Sequence, residues 1–282
     1  MTATATEPTD AAGVTGGIRG LSPRQRRRIV RSVQYAIFLG VIVLVALVVD
    51  WSQIKEHFLD VDVAREMLPE LFTVALKNTI IYTVSAYVIG FVFGLLIALM
   101  RLSSAAPYRW VALVYVEIFR GLPALLVLLI IGFGLPIAFQ GMNVPGDVYG
   151  KVALGLGLVA AAYMAETFRA GIQAVPKGQL EAARSLGMSQ PRAMVSIVIP
   201  QALRIIIPPL TNELVMLFKD SSLVSALGVT ASTVELTKLG SDAAINTADS
   251  TPFIVAGVTY LFITVPLGIV VRRLEARQSR GR

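Results

Sequence analysis

From Thr79 to Met100 the chain carries not one charged side chain. A run of that length matches the ~20 apolar residues an α-helix needs to cross the hydrocarbon core of a bilayer. In lipid every backbone N–H and C=O must be satisfied within protein, so an isolated apolar run of this kind is constrained to be a helix. Runs of similar character lie at Tyr35–Val49, Leu122–Phe139, Val152–Ala170, Ile197–Leu217 and Phe253–Val271. Six spans are therefore expected, and the fold class is all-α, a polytopic membrane protein. Hydrophobic residues make up 55% of the 282 and charged residues only 15%, a balance unlike that of a soluble domain. The chain has no cysteine, which excludes disulfides and thiolate metal sites. Its single histidine, His57, has no ligand partner at useful spacing and is expected to be an ordinary loop residue, with no metal site.

A net charge of +7 would point to nucleic acid in a soluble chain. Here its distribution follows the positive-inside pattern instead, and no nucleic-acid partner is expected. Six spans put both termini on one side, together with loops 101–121 and 169–204. Of the 25 Lys and Arg residues, only Lys55, Arg65, Lys77, Lys151, Lys219 and Lys238 fall on the other side. The bias predicts that both termini are cytoplasmic, in the inner or plasma membrane of a prokaryote. Residues 1–32 read as a disordered basic tail, small and Gly-rich at first and then carrying Arg24, Arg26, Arg27, Arg28 and Arg31. Residues 33–67 hold the first span, retained rather than cleaved because "VVDWSQIKEH" offers no small-residue cleavage site, and the start of an acidic extracytoplasmic loop over 50–77. Residues 68–277 hold a five-helix core, and 278–282 a basic tail. Gly90 and Gly94 on the second span are spaced for close helix packing. Trp110–Phe119 reads as a short interfacial helix leading into the third span.

The cytoplasmic loop contains "EAARSLGMSQPRAMVSIVIP", Glu181 to Pro200. Gln179–Leu186 is rich in helix formers, and Gly187 suits a left-handed cap that stops a helix sharply. Ser189 is placed to cap the next helix, with Pro191 in its first turn. The stretch thus reads as helix, glycine corner, helix, with Ala182 and Ala183 leaving a low surface beside Glu181. Its order (Glu181-Ala182-Ala183, three residues, Gly187, nine residues, Ile197, one residue, Ile199, Pro200) resembles the signature of ABC importer permeases. The one departure is Ile199, where that family usually has Leu. Further stretches, among them "VEIFRGLPALLVLLIIGFGLP", "AAYMAETFRAGIQAVPKGQL" and "PQALRIIIPPLTNELVMLFKDSSLVSALGV", look like the polar amino-acid branch, and the resemblance covers roughly Leu68 to Arg277.

The resemblance implies a type I importer permease fold and no catalysis in this chain. It also implies that Glu181, Ala182, Ala183 and Gly187 form a coupling helix seated on a separate ATPase. The implied partners are two ATP-binding subunits holding ATP and magnesium, a second permease subunit as homo- or heterodimer, an extracytoplasmic substrate-binding protein, an amino-acid substrate and membrane lipid. No cofactor is expected in this chain. "GDVYGKV" (Gly146–Val152) lacks the spacing of a phosphate-binding loop and has Val152 where a hydroxyl is needed.

Ionisable groups within spans mark function or structural pairs. Glu166 and Arg169, three residues apart, read as a helix-end ion pair or a transport element, and Glu117 and Arg120 as a local pair. In the fifth span Pro200, Pro208 and Pro209 leave carbonyls unpaired, as a broken helix lining a wet cavity would. Asn212, Glu213, Lys219, Asp220, Ser221 and Ser222 follow, offering acceptors for an ammonium and donors for a carboxylate. They are expected to line the substrate path, although Glu213 has the alternative of pairing with Arg204 or with another subunit. The contending readings are a stand-alone ion-driven secondary transporter and an importer of an amino-acid-like compound such as an opine.

Overall fold

The structure, a computed structural model, describes residues 23–139 and 144–279. The expected tail up to residue 22, residues 140–143 of the loop before the fourth span and residues 280–282 lie outside the described residues. The chain divides into two units, Met1–Ile54 and Lys55–Arg282, and each is taken by itself.

In the first unit α1 (Pro23–Val48) starts inside the segment expected to be a disordered tail. Pro23 suits a first helical position, and the Arg and Gln residues after it are good helix formers continuous with the apolar span. Asp50 then accepts hydrogen bonds from the Ser52 and Gln53 N–H groups at 3.0 and 3.2 Å and opens α2 (Trp51–Phe58).

The acidic stretch expected as a loop is largely helical. After α2, Asp60 accepts from the N–H groups of Asp62 and Val63 at 2.8 and 3.2 Å and caps α3 (Val61–Glu70). His57 accordingly sits on a helix, and its carbonyl accepts from the Ser250 N–H at 2.8 Å. A wide π turn, Leu71–Ala75, joins α3 to α4 (Leu76–Leu102). The chain then bends by 105° between α5 (Ala106–Gly121) and the segment formed by α6 (Ala124–Leu129), a π turn and α7 (Leu135–Ala138). After these come α8 (Val148–Gln173), α9 (Lys177–Ser185), α10 (Gln190–Ala193), a π turn, α11 (Ile199–Asp220) and a 3₁₀ turn, Ser221–Leu227. The unit closes with α12 (Leu236–Thr247) and α13 (Thr251–Ser279). Among the described residues five helical stretches are long and apolar enough to cross a membrane, and the bent pair brings the number to six.

Two of the π turns sit just before prolines: Pro136 follows the turn Ile130–Gly134 and Pro200 follows Met194–Val198, so the carbonyl four residues before each lies inside the turn. Proline cannot donate to the carbonyl four residues back and its ring crowds that carbonyl, so a widened turn absorbs the misfit without breaking the helix. The fifth span is accordingly continuous rather than broken. Pro208 and Pro209 lie inside α11, withholding donors from the carbonyls of Arg204 and Ile205.

Among the described residues the most extensive helix–helix packing is between α4 and α8. Gly90 and Gly94 are buried where α4 meets Gly157, Ala160, Ala161 and Met164 of α8. A Cβ at Gly94 would stand 2.9 Å from the Ala161 carbonyl oxygen and 2.9 Å from Met164 Cβ. Small residues matter here because lipid offers no hydrophobic drive for association, leaving close van der Waals contact to hold the helices. Tyr82, Leu128, Leu156, Phe168, Ile206 and Leu217 extend this seam into the main core.

A second core gathers Met67, Leu71 and Ala75 with Val234, Leu236, Leu239 and Ala256. The segment leading into it is tied to α4. Asn78 Nδ2 donates to the Ser232 and Val234 carbonyls at 3.0 and 2.8 Å, and the Tyr82 hydroxyl to that of Thr233 at 2.7 Å. At its end Glu235, fully enclosed, caps α12 by accepting from the Thr237 and Lys238 N–H groups, both at 2.7 Å, and from the Tyr260 hydroxyl at 3.0 Å. Burial pushes the Glu235 carboxyl above its ordinary range, against the pull of these donors. A carboxyl raised on folding contributes stability that is fully present below the unfolded value and is lost as pH rises through the folded one. Glu235→Gln should therefore lower the unfolding temperature of the purified protein more at pH 4 than at pH 8. A gap that widens with pH would show the sign to be wrong.

Candidate functional site

The helix α9 ends in a Schellman arrangement. Gly187 has φ +83°, its N–H donates to the Arg184 carbonyl at 3.0 Å, and the Met188 N–H reaches back to the Ala183 carbonyl at 3.2 Å. Both bonds satisfy carbonyls that a helix end leaves free, so the corner is fixed by the backbone itself. Ser189 occupies the position before α10 in extended backbone but makes no capping hydrogen bond, contrary to expectation. Pro191 lies two residues on, where one of the N–H groups a cap would bind is missing.

Glu181, Ala182, Ser185 and Leu186 point outward, and Leu186 is 85% exposed. Ala183 points the other way, 6% exposed, toward the side on which α9 packs against α10 and the π turn behind it. The expected low surface is thus made by Ala182 alone, because neighbouring residues on a helix lie about 100° apart.

On α11 one face is inside, with Ala202, Ile206, Leu210 and Leu217, while Pro209, Asn212, Met216 and Lys219 are exposed on another. Glu213 and Asp220, seven residues apart, are half-buried at the edge of that open face, with the Tyr87 hydroxyl of α4 as a further electrostatic neighbour of Glu213. Glu213 makes no ion pair with Arg204, and no hydrogen bond, among the described residues. Ser222 is half-buried, whereas Ser221 is fully enclosed with its hydroxyl donating to the Phe218 carbonyl at 2.7 Å. Five of the six residues expected along the path are thus at least partly exposed and Ser221 is not, since it stands three and four residues after the buried Phe218 and Leu217, on their face of the helix.

Glu166 and Arg169 do pair, at 2.6 Å, and Arg101 at the end of α4 joins them at 3.2 Å. The carboxylate is thus a tie between helices as well as a local pair. The Arg101 contribution was not visible in spacing, because it comes from another helix. Glu117 and Arg120 form no ion pair among the described residues; the Arg120 guanidinium lies 5.4 Å from the Tyr163 ring centroid instead. Lys151, in the motif resembling a phosphate loop, is paired with Asp147 at 3.1 Å.

Residues 90–280 match the family described as binding-protein-dependent transport system inner membrane component. The chain belongs to that family. This inner membrane component is 39% identical over 204 residues to a probable glutamine ABC transporter permease of Bacillus subtilis, covering 72% of this chain and 91% of the relative. It is 36% identical over 242 residues to a glutamate/aspartate import permease of Escherichia coli, covering 82% and 98%. Among solved structures, an amino acid ABC transporter with histidines aligns with a TM-score of 0.67 at 38% identity, over 75% of this chain and 95% of that one. The inward-facing methionine transporter MetNI, at 22% identity and a TM-score of 0.54, shares the fold. Membership in a binding-protein-dependent system sets aside the stand-alone secondary transporter.

Proposed function

We propose that this component is half of the membrane path of an ATP-driven importer for polar amino acids, oriented with both termini in the cytoplasm. The observation that carries the reading is the fixed corner at Gly187, which presents Glu181, Ala182 and Leu186 on the side rich in Lys and Arg. A separate ATPase seats there, holding ATP and magnesium, and its movement tilts α8 and α11 through the corner between them. Two such ATPases, a second permease subunit and an extracytoplasmic binding protein complete the assembly. Relatives named for glutamine and glutamate/aspartate transport support an amino-acid substrate.

The open face of α11 supports a two-subunit path. Charged groups facing lipid at membrane depth are costly, so Asn212, Glu213, Lys219, Asp220 and Ser222 face water or another chain. Glu213 meets the ammonium of the passing amino acid and Lys219 its carboxylate. The test is reconstitution with the ATPase and binding protein in lipid nanodiscs. Amino acid with its binding protein should stimulate ATP hydrolysis, and Glu213→Ala should cut uptake about tenfold while leaving assembly intact, the loss of one charge-assisted contact. Uptake that proceeds without any ATPase would overturn the reading, and full uptake by Glu213→Ala would remove that residue from the path.

A further inference from the structure

Where α4 and α8 end and α5 begins, Arg101, Arg109, Trp110, Leu113, Arg169 and Gln173 line a cleft of about 410 Å³. Three guanidinium groups meet there, and Glu166 is the one carboxylate that pairs with any of them among the described residues, with Arg101 at 3.2 Å and Arg169 at 2.6 Å. Arg109 Nη1 is held by the carbonyls of Ser103 and Ser104 at 3.2 and 2.7 Å, and Arg169 Nη1 by Gln173 Oε1 at 2.6 Å. Arg101 Nη1 is enclosed and has no partner. A buried donor without an acceptor is unfavourable, and guanidinium forks match the oxygens of a phosphate. The cleft therefore holds surplus positive charge, and one of the arginines lining it keeps an enclosed, unmet donor.

Its surroundings distinguish the source of that phosphate. Beside the cleft, α5 exposes Tyr108 at 58%, Trp110 at 65%, Val111 at 61% and Val114 at 49%. A free anion has no use for such a surface, whereas acyl chains do, and Trp and Tyr favour the level of the lipid headgroups. We propose that the cleft binds the phosphate of an anionic phospholipid, with its acyl chains along the outer face of α5.

The test uses the full chain in mild detergent, with bound lipid counted by native mass spectrometry against phosphatidylglycerol and phosphatidylcholine. Phosphatidylglycerol should be preferred, and Arg101→Gln combined with Arg109→Gln should weaken it about tenfold, whereas the exposed Arg273→Gln should not. Arg109→Gln alone, which leaves the Glu166 pairs intact, should weaken it in the same direction and guards against misfolding of the double variant. Equal retention of phosphatidylglycerol by the variants and the parent would overturn the site, as would equal binding of phosphatidylcholine. Displacement by inorganic phosphate or glycerophosphate at the same concentration would overturn the assignment to lipid.

Discussion

Tryptophan in place of Ala182 should leave the protein in the membrane at its normal level and bring amino-acid uptake down at least tenfold. Ala182 lies on the outward face of α9 between Glu181 and the 85% exposed Leu186, so an indole there occupies the space an ATPase groove would need. Nothing on the inner side of the helix has to move. Loss of ~1.4 kcal/mol in docking is already a tenfold drop in assembly, and a bulky side chain in a fitted groove exceeds that. The matching change at Ala183 reports something else. That side chain is 6% exposed toward the protein's own body, so Ala183→Trp should reduce folded protein as well as uptake. Membrane abundance, co-purification of the ATPase and uptake, read together, separate the two. Normal uptake by Ala182→Trp would rule out the docking face.

The second large effect is expected at the α4–α8 seam. Gly94→Leu should eliminate most folded protein, because even its Cβ would lie 2.9 Å from the backbone oxygen of Ala161, which cannot turn aside. Overpacking of a tight core costs about 1–3 kcal/mol where neighbours can yield, and backbone contact leaves less room to yield. Set against a total stability of about 5–15 kcal/mol, that is enough to lower abundance sharply. Gly121→Ala is the control, since a Cβ there meets nothing within 4 Å. Membrane level and thermal unfolding in detergent give the readout, and a Gly94→Leu protein that unfolds at the parent temperature would show that the helices are not held by this contact.

Features written in local spacing are legible in the sequence itself. Gly90 and Gly94 sit one helical turn apart and do face α8; Gly187 does take the left-handed conformation that ends α9. Membrane spans were equally plain, because length and a scarcity of charge suffice. What escaped depended on contacts between distant segments or on a choice among equivalent local states. Arg101 reaches Glu166 from another helix, and no distance along the chain announces it. Ala182 and Ala183 are identical side chains, and only the packing of α9 on α10 decides which faces out. The fifth span was expected to break at its prolines because the widened turn Met194–Val198, which accommodates Pro200, has no sequence mark of its own. The residues expected along the path were picked by their polar side chains alone, and Ser221 is enclosed because it stands three and four residues after Phe218 and Leu217, on the buried face of the helix.

The bent pair carries a consequence for the surrounding membrane. Measured along its axis at 1.5 Å per residue, the arm Ala124–Ala138 reaches only about 22 Å, against about 30 Å of hydrocarbon in an ordinary bilayer. Where that arm meets lipid, the flanking chains have to shorten or tilt to keep its ends wet, which favours thin host membranes over thick ones.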